Sequence, residues 1–165
     1  MSDLTRKQKA LLFQGKDKWH SNGYKNTPYK SFSMHDGPNG LRIEIDDSLG
    51  FPQAKPATAF PTASLIGCSF DRSLMREFGN MLAEECIESG TDILLGPGIN
   101  HKRSPLCGRN FEYFAEDPVL SGELAAAYIQ GVQEKKIGTS LKHLAANNRE
   151  YGRMICDSVV DERTL

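Results

Sequence analysis

The chain has 165 residues, which is long enough for one domain with a hydrophobic core. Its 20 basic and 21 acidic residues give a net charge of −1, and its 39% of apolar residues is typical of globular proteins. This near-neutral balance argues against a nucleic-acid or anionic-membrane partner, and the apolar runs are too short to span a bilayer. Without a secretory signal, a C-x-x-C pair or a His–Cys cluster, the sequence predicts a cytoplasmic protein that needs no metal or other cofactor.

The N-terminal third predicts one helix followed by a long irregular segment. Thr5 can cap a helix over 5–14, and Gly15 ends it. The prolines and charges of 43–62 predict an excursion on the protein surface.

The remaining residues alternate between short apolar runs and amphipathic helical patterns. Four strands are predicted, near 31–35, 63–69, 92–96 and 138–143. Asp71 caps a helix that Gly90 ends, Pro118 opens the next helix, and Asp157 or Ser158 begins a last one. Such alternation indicates parallel β/α units.

Polar segments follow the predicted strand ends, over 36–42, 96–117 and 142–153. Parallel α/β folds place their functional sites at this edge of the sheet. A complete (β/α)₈ barrel needs about 250 residues, so the predicted fold class is α/β, a partial (β/α)₈ barrel amounting to roughly its first half.

Three of these segments carry candidate site residues. Asp36 ends the first strand within Asp-Gly-Pro, where its carboxylate either accepts hydrogen bonds from adjacent sugar hydroxyls or forms an Asx turn. Arg109 and Glu112 lie among aromatic residues, which predicts either a carbohydrate pocket or a loop closed by an Arg–Glu pair. Lys142 and His143 lie at the end of the fourth predicted strand. Adjacent strand residues point to opposite faces, so the pair needs a twist, a bulge or separate roles.

The motifs in this order resemble the N-terminal domain of glycoside hydrolase family three, on its β-glucosidase side. The resemblance extends over nearly the whole chain and is specific as a series. It is carried by His35-Asp36-Gly37-Pro38-Asn39-Gly40-Leu41-Arg42, Leu94-Leu95-Gly96-Pro97-Gly98, Gly108-Arg109-Asn110-Phe111-Glu112, Lys142-His143-Leu144-Ala145-Ala146-Asn147 and Val160-Asp161-Glu162-Arg163-Thr164-Leu165.

The resemblance implies a barrel that hydrolyses β-linked glucosides with retention. It also implies that Asp36, Arg109, Lys142, His143 and Arg153 bind the terminal sugar of a β-glucoside or oligosaccharide. One position departs from the family pattern, because His35 stands where Ser or Ala is usual, with an expected effect on the pocket floor.

By the same resemblance, residues 1–165 are the N-terminal part of the barrel domain and end before the strand that carries the nucleophilic Asp. The acid/base Glu belongs to a later domain. The remainder of a longer chain is therefore expected to be needed, and the isolated chain is expected to be inactive. It is also expected to expose apolar residues that a complete barrel would cover, namely Leu65, Ile66, Leu94 and Leu141.

Two alternatives stay open. One is a non-catalytic remnant that only binds sugars. The other is a different exo-glycosidase of the family, a β-xylosidase or an N-acetylglucosaminidase. The latter branch carries a Phe-Pro-Gly sequence after its Lys-His pair, and Leu144-Ala145-Ala146-Asn147 differs from it.

Overall fold

Helices and short parallel strands alternate in the computed structural model, which describes residues 4–25, 27–46 and 52–165. In chain order the elements are α1 Arg6–Leu12, β1 Met34–Asp36, α2 Ala63–Gly67, α3 Arg72–Ser89, β2 Ile93–Leu95, α4 Pro118–Glu134 and β3 Gly138–Thr139. A 3₁₀ turn, Asn110–Glu112, lies between β2 and α4.

The sheet has three parallel strands in the order β1-β2-β3. Its strands confirm three of the four predicted ones, although each is shorter than predicted. Beyond β3 the chain stays beside the sheet, because Lys142 forms a parallel bridge with Gly98. The carboxyl ends of all three strands therefore meet at one edge.

The predicted strand over 63–69 is wrong, because these residues form the helix α2. The Thr62 side chain caps the helix by accepting a hydrogen bond from the Leu65 amide. Ala63 and Ile66 are buried in the core. A short apolar run fits a buried strand and a buried helical turn equally well, and here the N-cap favours the helix.

Helices α3 and α4 pack against each other, α4 contacts β3, and the two helices supply most of the core around Leu94 of β2. The predicted ends of α3 are confirmed, since the Asp71 carboxylate accepts from two backbone amides and Gly90 ends the helix with φ 76°. Pro118 begins α4 as predicted. The side chains almost fully buried between the helices and the sheet are Met75, Phe78, Leu82, Leu94, Leu124, Tyr128 and Val132.

The last predicted helix and the predicted exposure of two apolar residues, Ile66 and Leu94, are also wrong. The helix predicted to begin at Asp157 or Ser158 is wrong, since exposed residues 157–165 hold only a turn in which the Asp161 carboxylate accepts from Thr164. Ile66 and Leu94 are buried, whereas Leu65 and Leu141 are exposed as predicted. Ile66 of α2 and Leu94 of β2 are buried in the core that α3 and α4 also form.

The excursion predicted over 43–62 lies only partly on the surface. Residues 47–51 fall outside the described part of the chain, and Ile43 contributes to the core. Among the described helices, none is long and apolar enough to cross a membrane.

Candidate functional site

The site begins with an ion pair at the carboxyl edge of the sheet. Asp36 is the last residue of β1, and Lys142 follows β3 on the far side of β2. The Lys142 Nζ lies 2.6 Å from the Asp36 Oδ1. The lysine side chain is 14% exposed and the aspartate side chain 43%, so the carboxylate retains accessible surface for another hydrogen-bonding partner.

Glu112 joins this pair to Arg109. Its carboxylate is buried, forms an ion pair with the Arg109 Nε and lies 3.6 Å from the Lys142 Nζ. Burial is the largest single influence on the pKa of the Arg109 guanidinium and lowers it, but the hydrogen bond to Glu112 and the nearby charges of Glu112, Tyr113 and Glu150 together leave that pKa raised. The result is a network of alternating charge, Asp36–Lys142–Glu112–Arg109, in which each carboxylate contacts a cation.

His143 has a separate set of partners. Its Nδ1 lies 2.8 Å from the hydroxyl of Tyr113, whose side chain is fully buried. The Asn147 amide donates to the same hydroxyl oxygen over 2.8 Å. Burial and the charge of Arg109 lower the pKa of His143, so its imidazole is neutral at pH 7. The adjacent Lys142 and His143 therefore have separate contact partners, one of the alternatives left open by the sequence.

Arg153 lies on the wall of a neighbouring cavity. Its guanidinium donates to Glu150 over 3.1 Å, and Glu150 also accepts from Asn147 over 3.1 Å. Burial raises the pKa of Glu150, but the two hydrogen bonds and the charges of Arg153 and Arg109 together lower it below its usual value, so Glu150 is ionised at pH 7. Arg109, His143, Asn147 and Arg153 line the cavity, which has a volume of about 460 Å³.

The structure thus brings all five sequence-predicted site residues to one edge of the sheet. Asp36, Lys142 and Arg109 belong to the charged network, while His143 and Arg153 are linked through Tyr113, Asn147 and Glu150. Fixed cationic donors beside an accessible carboxylate suit a ligand with several hydroxyl groups. Within the described ranges, no group of three or more His, Cys, Asp or Glu side chains is arranged to hold a metal ion.

His35 lies on the other side of β1 from Asp36. Its ring contacts Trp19, with ring centroids 5.6 Å apart, and His20, at 6.2 Å. The predicted Arg109–Glu112 pair is confirmed, since it closes the loop over the buried Tyr113 and also faces Lys142. The carbohydrate pocket predicted for the same segment stays a prediction.

The residues that hold the site together were predicted only in part. Glu112 was expected to pair with Arg109, a local signal because it lies three residues after Arg109 on a turn, but its contact with Lys142 was not expected. Tyr113 and Asn147 carry no such signal, since their bond links residues 34 positions apart. Asn100 is a further case, because it bonds both the backbone of Asn147 and the side chain of Asn148.

Comparison with known proteins identifies the family. Residues 20–162 match the N-terminal domain of glycosyl hydrolase family 3. The chain belongs to this family. It is 50% identical to the thermostable β-glucosidase B of Acetivibrio thermocellus and 44% identical to an exo-α-(1→6)-L-arabinopyranosidase of Bifidobacterium longum. Both alignments include the whole chain, which spans 22% of each relative.

Solved structures of family 3 enzymes share the fold. The Bifidobacterium adolescentis β-glucosidase superposes with a TM-score of 0.82 at 45% identity over 92% of this chain and 21% of its own. The β-glucosidase 3B of Thermotoga neapolitana, solved in complex with glucose, gives a TM-score of 0.71 at 41% identity over 79% of this chain and 18% of its own. The chain therefore spans about a fifth of the proteins that it resembles.

Proposed function

We propose that residues 1–165 form the N-terminal part of the barrel domain of a longer retaining glycosidase, which removes terminal β-D-glucosyl residues. The family match, the β-glucosidase relatives and the parallel β/α arrangement support this proposal. The main structural support is the Asp36–Lys142 pair, which places a hydrogen-bond acceptor and a hydrogen-bond donor side by side at the edge where the strands end.

In this proposal the segment binds and orients the sugar. Asp36 accepts hydrogen bonds from sugar hydroxyls, while Lys142, Arg109 and His143 donate to hydroxyl oxygens. Arg153 contributes from the wall of the adjoining cavity. Charged donors and acceptors held by their own partners need little rearrangement when the ligand arrives, and this lowers the entropic cost of binding.

The bond cleavage itself is assigned to other parts of the longer chain. Retention requires two carboxyl groups about 5–5.5 Å apart, one as nucleophile and one as acid/base. Asp36 is ion-paired with Lys142, and Glu112 is buried between two cations. Both carboxylates are suited to holding positive charge and hydroxyl groups in place rather than to attacking an anomeric carbon or donating a proton.

A second candidate activity is favoured by one specific observation. A relative at 44% identity acts on α-L-arabinopyranosides. That sugar lacks the hydroxymethyl group of glucose and has the opposite configuration at one hydroxyl. The donor and acceptor set described above would serve either sugar, so the choice between them belongs to residues that contact those two positions.

Steady-state kinetics of the full-length protein test the proposal. The substrates are the 4-nitrophenyl glycosides of β-D-glucose, β-D-xylose, N-acetyl-β-D-glucosamine and α-L-arabinopyranose. We expect the highest kcat/KM for the glucoside. We expect losses of about 100-fold or more for Asp36→Asn and Lys142→Met, because each removes a charge proposed to contact the sugar and breaks the Asp36–Lys142 pair. The control is Lys135→Met, which removes a lysine from an exposed ion pair with Glu84.

Three outcomes would overturn parts of this assignment. Sugar binding without turnover of any substrate would favour a non-catalytic sugar-binding protein. A higher kcat/KM for the arabinopyranoside or for another glycoside would replace the substrate. Full activity in Asp36→Asn would remove Asp36 from the sugar site.

A further inference from the structure

We propose that Tyr113 and Asn147 are positioning residues that select the tautomer of His143, so that its Nε2 carries the proton and donates to the bound sugar. This inference rests on the proposed function, because it concerns how the same sugar site is prepared. It assigns roles to two residues that do not themselves need to touch the ligand.

The neighbours of Asn147 fix the orientation of its side-chain amide. Its nitrogen lies 3.1 Å from a carboxylate oxygen of Glu150 and 2.8 Å from the Tyr113 hydroxyl. An ionised carboxylate can only accept hydrogen bonds, so the group that faces Glu150 is the amide NH₂. Asn147 therefore donates to the Tyr113 oxygen as well, using its second N–H.

The single proton of the Tyr113 hydroxyl is donated to His143. Burial raises the pKa of Tyr113, so the phenol keeps this proton at neutral pH. One lone pair of its oxygen already accepts from Asn147. The His143 Nδ1 lies 2.8 Å away and is the acceptor available to the hydroxyl proton. Tyr113 therefore donates to Nδ1, which must be the unprotonated nitrogen of the ring.

The ring proton of His143 must therefore be on Nε2, the nitrogen opposite Nδ1. A neutral imidazole carries one N–H, so an unprotonated Nδ1 requires an Nε2–H. His143 also lines the cavity of about 460 Å³ beside Arg109. The ring then presents a hydrogen-bond donor to a sugar hydroxyl oxygen. In the other tautomer it would present a lone pair to the same atom.

A double-mutant cycle in the full-length protein tests this chain of donors. Glucose is the probe, and its Kd is measured by isothermal titration calorimetry for the wild type, Tyr113→Phe, His143→Ala and the double variant. One net hydrogen bond is worth about 0.5–1.5 kcal/mol, so Tyr113→Phe should raise Kd by roughly 2- to 10-fold. In the His143→Ala background the same substitution should change Kd little, because it acts through His143.

Tyr24→Phe is the matched control. It also removes a tyrosine hydroxyl, one that donates to the Gln8 carbonyl away from the site, and its Kd should equal that of the wild type. Equal losses from Tyr113→Phe in both backgrounds would show that Tyr113 only supports the local structure. An unchanged Kd in Tyr113→Phe would also overturn the positioning role. A wild-type protein that binds no glucose would instead refute the proposed function.

A second comparison applies even if Tyr113→Phe fails to fold. In His143→Gln the amide nitrogen can occupy the place of Nε2, whereas in His143→Asn the amide lies near the place of Nδ1. We expect His143→Gln to keep the tighter glucose binding of the two. Binding that is as tight or tighter in His143→Asn would contradict a donor at Nε2.

Discussion

Lys142 and Asp36 are separated by 106 positions in the sequence, yet the lysine Nζ lies 2.6 Å from the aspartate Oδ1. Asp36 ends the first strand of the sheet and Lys142 follows the third, so the pair crosses the carboxyl end of the central strand β2. The sheet thereby brings two distant motifs into one site. The stability of that site depends on the buried carboxylate of Glu112, which contacts Lys142 and Arg109.

Arg109→Met should destabilise the protein substantially. It leaves the buried Glu112 with Lys142 as its remaining cationic partner, and breaking a buried pair costs about 3–5 kcal/mol. The exposed Arg72–Glu123 pair provides the control, since Arg72→Met should cost less than about 1 kcal/mol. Calorimetric unfolding of the full-length protein measures both. Similar, small shifts for the two variants would contradict the importance assigned to Glu112.

Two glycines of α4 should respond oppositely to alanine. A Cβ at Gly131 would overlap the Arg76 carbonyl of α3, so Gly131→Ala must separate the helices, at about 1–3 kcal/mol. A Cβ at Gly122 meets nothing within 4 Å, so Gly122→Ala should stabilise the protein by about 0.5–1 kcal/mol. Thermal unfolding of the two variants checks this contrast. A stabilising Gly131→Ala would show that the helices are not closely packed there.

The buried His35 should make stability depend on pH. Burial, with the charges of His20 and Lys55, lowers its pKa below the ordinary value of about 6.5. The unfolded chain therefore binds the proton more tightly, and stability that is complete above pH 6.5 falls as the pH drops towards the folded-state pKa. His35→Phe should lose less stability than the wild type between pH 8 and pH 5 in urea unfolding. Equal losses would assign the dependence to other groups, such as His143, whose pKa is lowered in the same direction.

The isolated 165-residue chain should be inactive and prone to aggregation. The carboxylates of its site are engaged by cations, and large apolar side chains are exposed near its C-terminal end: Leu144, Met154, Ile155 and Val159. The outer edge of β1 already bonds Trp19 and Arg42 through its backbone. The outer edge of β3, which pairs with β2 in the described sheet, remains available for pairing with another strand. Light scattering and an aryl β-glucoside assay check both points. A monomer with a sharp, reversible thermal transition, or one that hydrolyses the glucoside, would contradict this expectation.

The sequence predicted the long helices and three strands because their patterns are strong and local. The caps at Asp71 and Gly90 lie next to the residues that they serve, and the apolar spacing of α3 persists over several turns. The run over 63–69 was misassigned because its seven apolar and small residues suit a strand or a helix equally well, and the Thr62 cap before them favours the helix.

The site was predictable in part for a similar reason. Asp36, Lys142 and His143 lie at the ends of predicted strands and Arg109 in the loop after one, and a shared edge brings strand ends together. The partners that hold them could not be predicted in this way. The bond between Tyr113 and Asn147 links two loops whose relative positions depend on the whole fold, and the sequence carries no periodic signal for it.

A crystal structure of the full-length protein with glucose would show whether this edge of the sheet binds the sugar. We expect a glucose molecule whose hydroxyl groups lie about 2.6–3.2 Å from the Asp36 carboxylate, the Lys142 Nζ and the His143 Nε2. Glucose bound in a pocket that none of these residues lines would contradict the sugar-binding role assigned to this edge of the sheet.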